Sequence, residues 1–205
     1  MIDFSVYRSI LCLNGTLPAK SFFNRHALPI IAADGAANNL LSIGVTPSLV
    51  IGDLDSLDSS LKDSLTVLYH YDQNLCDFEK CLYYLEEHKL LPSIVVGMNG
   101  GYIDHILNNI NLFMNTNNIF YAPPIIGFTI NEQEEKRIIL PNDTKLSILG
   151  IPEAEVSSEG LRWDFKNFKL AFPGKTSCFN RSAQPEVCLN VHKGTVLVLI
   201  YRDFE

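Results

Sequence analysis

Two periodicities alternate through the first 125 or so residues, and that alternation limits the folds open to the chain. Short apolar runs at residues 9–13, 30–33, 49–51, 66–69, 93–96 and 119–122 have the length of buried strands. Between them lie segments with helical spacing. From Asp77, the residues Phe78, Cys81, Leu82 and Leu85 recur at i, i+3, i+4 and i+7; from Ile103, so do Ile103, Ile106, Leu107, Ile110 and Phe113. Strand followed by helix, repeated, predicts a parallel sheet covered on both faces. Ligands of such sheets bind beyond the carboxyl ends of the strands.

The pattern changes at Tyr121-Ala122-Pro123-Pro124. Beyond it the runs at 125–131, 137–140, 145–149, 168–172, 186–191 and 195–201 are short. Pro141-Asn142-Asp143, Gly150-Ile151-Pro152, Pro173-Gly174 and Lys193-Gly194 punctuate them. No helical period is visible there, so an all-β sandwich or partial barrel is expected. The predicted class is α/β: an N-terminal parallel-sheet nucleotide domain (residues 1–124) in three layers, then a C-terminal β-sandwich (125–205).

The most informative polar residues are aspartates after predicted strands. Asp53 and Asp55 stand in Gly52-Asp53-Leu54-Asp55-Ser56, and Asp77 ends the loop Asp72-Gln73-Asn74-Leu75-Cys76-Asp77. Carboxylates two residues apart on an extended segment project to the same side, about 6–7 Å apart. At an effective dielectric near 20 they repel by roughly 2–3 kcal/mol. A hard cation removes that cost, and carboxylates with phosphate oxygens are the ligand set Mg²⁺ prefers. Asp53, Asp55 and Asp77 are therefore the candidate metal ligands and catalytic residues of a phosphoryl-group enzyme. Asp77 is also placed to cap the helix that follows.

Other loops at the same predicted edge supply candidate ATP contacts. Ala33-Asp34-Gly35-Ala36-Ala37-Asn38 reads as a strand end, a turn and a helix start, where phosphate oxygens find backbone N–H groups. Asn14 and Gly15 follow the first strand. Asn99 and Gly100 lie in Gly97-Met98-Asn99-Gly100-Gly101, where three glycines within five residues suggest close backbone approach to a ligand. On the next segment Asp104, Asn108 and Asn111 share a polar face opposite the apolar stripe. His105 reads as a buried, hydrogen-bonded histidine, Trp163 as a core residue of the β half, and Ser177-Cys178-Phe179-Asn180-Arg181-Ser182 as a polar turn.

Composition narrows the partners. A net charge of −7 over 205 residues, without a basic stripe, argues against nucleic acid and anionic membranes. The Met1-Ile2-Asp3-Phe4 start lacks a signal-peptide pattern, and no apolar run is long enough to span a bilayer. The 5 cysteines form no CxxC pair, which fits free thiols in a reducing cytoplasmic setting.

Taken in order, these segments resemble the thiamin pyrophosphokinase family. The matching pieces are Ala33 to Asn38, Pro47 to Ser56, Asp72 to Leu82, Gly100 to Asn109, Gly160-Leu161-Arg162-Trp163 and Ser177-Cys178-Phe179-Asn180. The resemblance implies transfer of diphosphate from ATP to thiamin with release of AMP. It implies Mg²⁺ on Asp53, Asp55 and Asp77, and a homodimer with thiamin bound between subunits. Gln73 and Asp104 would face thiamin from the first domain, and Ser177 and Asn180 from the partner's sandwich. The family usually carries Arg where Asn39 and Tyr102 stand, a second Gly at Ala36, Thr at Cys76 and Ser at Phe179. Losing two arginines leaves more of the phosphate binding to metal and backbone. The rival readings are a diphosphokinase for a pterin alcohol, a non-catalytic thiamin or nucleotide sensor, and a metal phosphohydrolase.

Overall fold

Short apolar runs without polar alternation can be satisfied only where both faces of a sheet are covered. Five of the six runs in the first half meet that condition in the computed structural model, which describes residues 3–202. Strands β1 (Ser9–Cys12), β2 (Ile30–Ala33), β3 (Leu49–Gly52), β5 (Ser93–Val96) and β6 (Ile119–Ala122) are buried at every residue. The sixth, β4 (Val67–Tyr69), is the outer strand beside β3 and leaves Leu68 and Tyr69 exposed. Every pairing among the six is parallel, in the order β6-β5-β1-β2-β3-β4. The direction of winding reverses between β1 and β5, the topological switch where α/β sheets open a crevice.

Among the described residues this unit has four α-helices: α1 (Lys20–His26), α2 (Ala36–Ser42), α3 (Asp77–Glu87) and α4 (Ile103–Phe113). Helix α3 buries Phe78, Cys81 and Leu85, as its spacing predicts. Its N-cap is Cys76 rather than Asp77, which is the first helical residue. Glu79 closes that end by accepting the Cys76 N–H at 2.9 Å. Helix α4 forms over the predicted segment but buries only Phe113; Ile103 and Leu107 are 71% and 52% exposed. His105 is exposed as well, against its expected burial, because it rides the open first turn of α4.

The chain divides into two compact units after Ala122. The second unit contains β7 (Ile125–Ile130), β8 (Glu135–Ile139), β9 (Lys145–Glu159), β10 (Phe168–Ala171), β11 (Ser177–Arg181) and β12 (Glu186–Tyr201), with no α-helix among its described residues. All pairings are antiparallel: β12 meets β7, β8 and β9, while β9 meets β10 and β11. Two runs expected to be separate, 186–191 and 195–201, are one strand. Lys193-Gly194 is a break in register rather than a turn, and Gly194 supplies the positive φ of 74° it requires. Likewise β9 runs on through Gly150-Ile151-Pro152. The 177–182 segment, read as a turn, contains strand β11, and Trp163 is 59% exposed rather than in the core.

Candidate active site

At the end of β3 the chain must turn while keeping two carboxylates outward, and Leu54 makes that possible. It is fully buried between Asp53 and Asp55, with a left-handed φ of 60°. For a leucine that backbone is strained, and such strain persists only where surrounding structure fixes it. Lys62 holds the Leu54 carbonyl at 2.7 Å. With Leu54 anchored inward, Asp53 is half-buried and Asp55 is exposed.

The residue that completes the cluster comes from the neighbouring strand. Ala33 on β2 pairs with Ile51 on β3, so the residues after each strand emerge side by side. Asp34 follows Ala33, is 3% exposed, and has a φ of 39°. A Cβ at position 52 would stand 2.8 Å from the Asp34 Cβ, so Gly52 is what lets that side chain pass. Carboxylate oxygens of Asp34, Asp53 and Asp55 lie within 4.8 Å of one another.

Their environments differ sharply. Asp53 accepts hydrogen bonds from Gln73 Nε2 at 3.0 Å and from the Asp55 N–H at 3.4 Å. The Gln73 bond, the larger influence, lowers its pKa. Asp34 has one weak partner, the Ser56 N–H at 3.3 Å to Oδ2, while the buried Oδ1 has none among the described residues. Burial, with smaller contributions from the charges of Asp77, Asp55 and Asp53, pushes its pKa up to about 6. An orphaned, buried carboxylate oxygen facing two further carboxylates is the arrangement a divalent cation stabilises. The donor set fits a hard cation.

Asp77 lies outside that close trio. Its Oδ1 accepts from Lys80 Nζ at 2.9 Å, one turn along α3. Lys80 is itself 4% exposed. Burial works to lower its pKa, but the Asp77 bond and the charges of Asp77, Asp53 and Asp34 outweigh that and raise it. Asp77 is therefore electrostatically part of the cluster, with Lys80 offsetting one of its charges. From α4, Asn108 Nδ2 approaches Cys76 Sγ at 3.8 Å, which brings the Asp104–Asn108 face to the start of α3. Asp104 is exposed there and accepts the His105 N–H at 2.9 Å.

The glycine loops meet at the topological switch. The Thr16 N–H donates to the Asn99 carbonyl at 2.7 Å, and a Cβ at Gly15 would fall 2.1 Å from that same oxygen. A Cβ at Gly100 would fall 2.7 Å from Thr16 Oγ1. Asn14 Oδ1 accepts from Asn39 at 3.0 Å, and a Cβ on Gly35 would approach Asn14 Nδ2 to 2.9 Å. Asn14, Gly15, Gly35, Asn99 and Gly100 thus lie in loops packed against one another, at strand ends that the sheet order makes neighbours. Asn39 ties down Asn14 through that bond.

In the second unit, Asn180 is 2% exposed and its amide is fully used. It donates to the Trp163 carbonyl at 2.9 Å and to Ser177 Oγ at 3.4 Å. It accepts the N–H groups of Trp163 at 3.3 Å and Arg181 at 2.8 Å. The side chain fixes Trp163 and Ser177 relative to one another, and Ser177 is half-buried.

Sequence reasoning placed Asp34 among nucleotide contacts and gave Asp77 its place in the trio. The signal for Asp34 was available in strand order, since adjacent parallel strands deliver their following residues to one spot. Lys80 is a site residue that the sequence pattern does not single out, because lysine is rarely buried unless paired.

Comparison with known proteins agrees with this geometry. Residues 20–121 match the family model described as the catalytic domain of thiamin pyrophosphokinase. The chain is 26% identical over 210 residues to thiamine pyrophosphokinase 3 of Oryza sativa subsp. japonica, covering 84% of this chain and 78% of that protein. It is 24% identical over 208 residues to thiamine pyrophosphokinase 1 of Arabidopsis thaliana, with the same two coverages of 84% and 78%. Among solved structures, thiamin pyrophosphokinase from Candida albicans superposes with a TM-score of 0.84 at 18% identity, over 96% of this chain and 90% of that one. The yeast enzyme gives 0.82 at 20% identity, over 97% and 87%. The α/β fold, the acidic edge of its parallel sheet and the match across that sheet agree: this chain belongs to the thiamin pyrophosphokinase family.

Proposed function

We propose that this protein transfers the diphosphate of ATP to the primary hydroxyl of thiamin, giving thiamin diphosphate and AMP. The observation that carries the reading is the Asp34–Asp53–Asp55 cluster at the carboxyl edge of the sheet, with a buried oxygen left unpartnered. The parallel-sheet unit is the three-layer ATP- and Mg²⁺-binding domain of this proposal, and the β unit is the thiamin-binding sandwich. Asp34, Asp53 and Asp55, with Asp77 beside them, would hold Mg²⁺. When bound, the ion supplies charge neutralisation and orientation for the triphosphate.

The chain's own residues do the rest. Gln73 fixes the Asp53 carboxylate through Oδ2, and Leu54 and Lys62 fix the turn that presents Asp53 and Asp55. Lys80 takes Asp77 Oδ1 and so orients that carboxylate. The loops bearing Asn14-Gly15, Asp34-Gly35 and Asn99-Gly100 present backbone at short range to the triphosphate. The thiamin hydroxyl then attacks the β-phosphorus in line, with AMP departing, and Asp77 or Asp104 accepts the hydroxyl proton. Phosphoryl transfer asks chiefly for such positioning. A homodimer in which Ser177 of a second copy lines the thiamin site belongs to the same proposal. Sedimentation tests it.

The decisive assay incubates purified protein with thiamin, ATP and Mg²⁺ and follows AMP and thiamin diphosphate by chromatography. Equimolar formation of both is expected. Phosphate release without thiamin would favour a phosphohydrolase, and thiamin binding without AMP a sensor. Turnover of a pterin alcohol in preference to thiamin would reassign the substrate.

A further inference from the structure

Beside the acidic cluster, the sheet's outer strand carries an aromatic surface that the reaction as described does not use. Tyr69 and Tyr71 stack with ring centroids 5.7 Å apart and planes 14° from parallel. They are 46% and 71% exposed, and Leu68 next to them is 39% exposed. Large apolar groups normally withdraw from water, so a stacked and open pair needs a reason.

Its position supplies one. Tyr69 pairs in register with Gly52, and the His70 N–H donates to the Gly52 carbonyl at 2.9 Å. Residues 69–73 therefore run alongside the strand end that carries Asp53, and Gln73 closes the parallel path with its bond to Asp53 Oδ2 at 3.0 Å. The surroundings are negative. No Lys or Arg occurs from Thr66 through Glu79. Asp72 is exposed and held ionised by the Asn74 N–H at 2.8 Å and Nδ2 at 2.9 Å. The lysines that flank this stretch are both engaged: Lys62 donates to the Leu54 carbonyl, and Lys80 is buried and committed to Asp77.

We propose that the Tyr69–Tyr71 pair is a binding platform for the cationic heteroaromatic ring of thiamin. Tyrosine faces attract a cationic ring through their quadrupole, and the exposed Asp72 carboxylate, which is not part of the metal cluster, adds to the attraction. An uncharged adenine would gain stacking alone and none of that field. The proposal rests on the diphosphotransferase reading and adds two specificity-determining residues to it.

Calorimetric titration of thiamin into wild type, Tyr71→Ala and Tyr71→Phe, with steady-state kinetics on the same proteins, tests it. Tyr71→Ala is expected to weaken thiamin binding about tenfold and raise KM for thiamin by a similar factor, with kcat and KM for ATP changed far less. Tyr71→Phe keeps the ring face and is expected to stay within about twofold of wild type. Circular dichroism melts confirm that the variants fold. Unchanged thiamin affinity in both Tyr71→Ala and the Tyr69→Ala/Tyr71→Ala double variant overturns the platform. So does a rise confined to KM for ATP, which would make the pair an adenine site. A wild type that binds thiamin yet yields no AMP sinks the diphosphotransferase reading while the binding comparison still decides the platform. A wild type that does neither sinks both.

Discussion

Asp34 and Asn180 are the two instructive buried polar side chains, one in each unit, at 3% and 2% exposure. Asn180 makes all four hydrogen bonds its amide allows, to Trp163, Ser177 and Arg181. Asp34 has one long bond on Oδ2 and nothing on Oδ1 among the described residues. An unsatisfied buried polar group costs about 1–3 kcal/mol, more when charged. The fold meets every demand of one such residue and leaves the other short, which is what the proposed cation site requires. On the proposed function, Asn180 is architecture and Asp34 is a receptor for the cation.

Asp53→Asn tests the receptor side most severely. The substitution keeps the shape, and Gln73 can still bond the amide oxygen, so folding should change little. Losing a charge from the cluster should lower turnover at least a hundredfold, on the order of 3 kcal/mol. Parallel rate and melting measurements check it. Near-normal activity would remove the cluster from the chemistry.

Asn180→Ala probes the architectural side. It strands part-buried backbone partners on Trp163 and Arg181 and opens a small cavity, for an expected loss of about 2–3 kcal/mol of stability. In a domain of this size that lowers Tm by roughly 4–10 °C. Mn²⁺ affinity, measured by calorimetry, should stay within about twofold, because the cluster takes no ligand from β11. A large change in metal binding with Tm preserved would erase the distinction between the two residues.

That distinction also explains how far the sequence could be read. Strand positions in the parallel sheet followed from run length alone, since a parallel strand must be apolar on both faces. Helices α3 and α4 show where such reading stops. Their apolar spacings are equally regular, yet α3 buries its stripe and α4 leaves Ile103 and Leu107 open. Periodicity predicts that a helix forms; what covers it depends on neighbours the pattern does not name. Trp163 illustrates the same gap, because composition favours burial and the loop held by Asn180 turns the ring outward. The long strands β9 and β12 were divided at Gly150-Ile151-Pro152 and Lys193-Gly194, since turn residues and bulge residues are the same residues. At the site, Asp53 and Asp55 declared themselves by spacing. Asp34 needed the pairing of β2 with β3 to join them.

The smallest expected effect bears most directly on Asp34 as a receptor. Burial holds its pKa near 6 in the folded chain against an ordinary 3.8. Below about pH 4 both folded and unfolded chains carry the proton, and no penalty exists. Between about pH 4 and 6 the unfolded chain ionises first, so stability falls as pH rises; above about 6 the penalty is complete and constant. Asp34→Asn abolishes that ionisation, and asparagine tolerates the left-handed backbone there. In chelator at pH 8 the variant is expected to be more stable by about 1–2 kcal/mol, a Tm gain of a few degrees, and to lose the decline between pH 4 and 6. Saturating Mg²⁺ should reverse the order, since on the proposed function the ion binds more tightly to, and so stabilises more, the chain that keeps the Asp34 carboxylate. A variant that melts no higher than wild type in chelator would mean that Asp34 is already satisfied in the folded chain, like Asn180, and is not held in reserve for a cation.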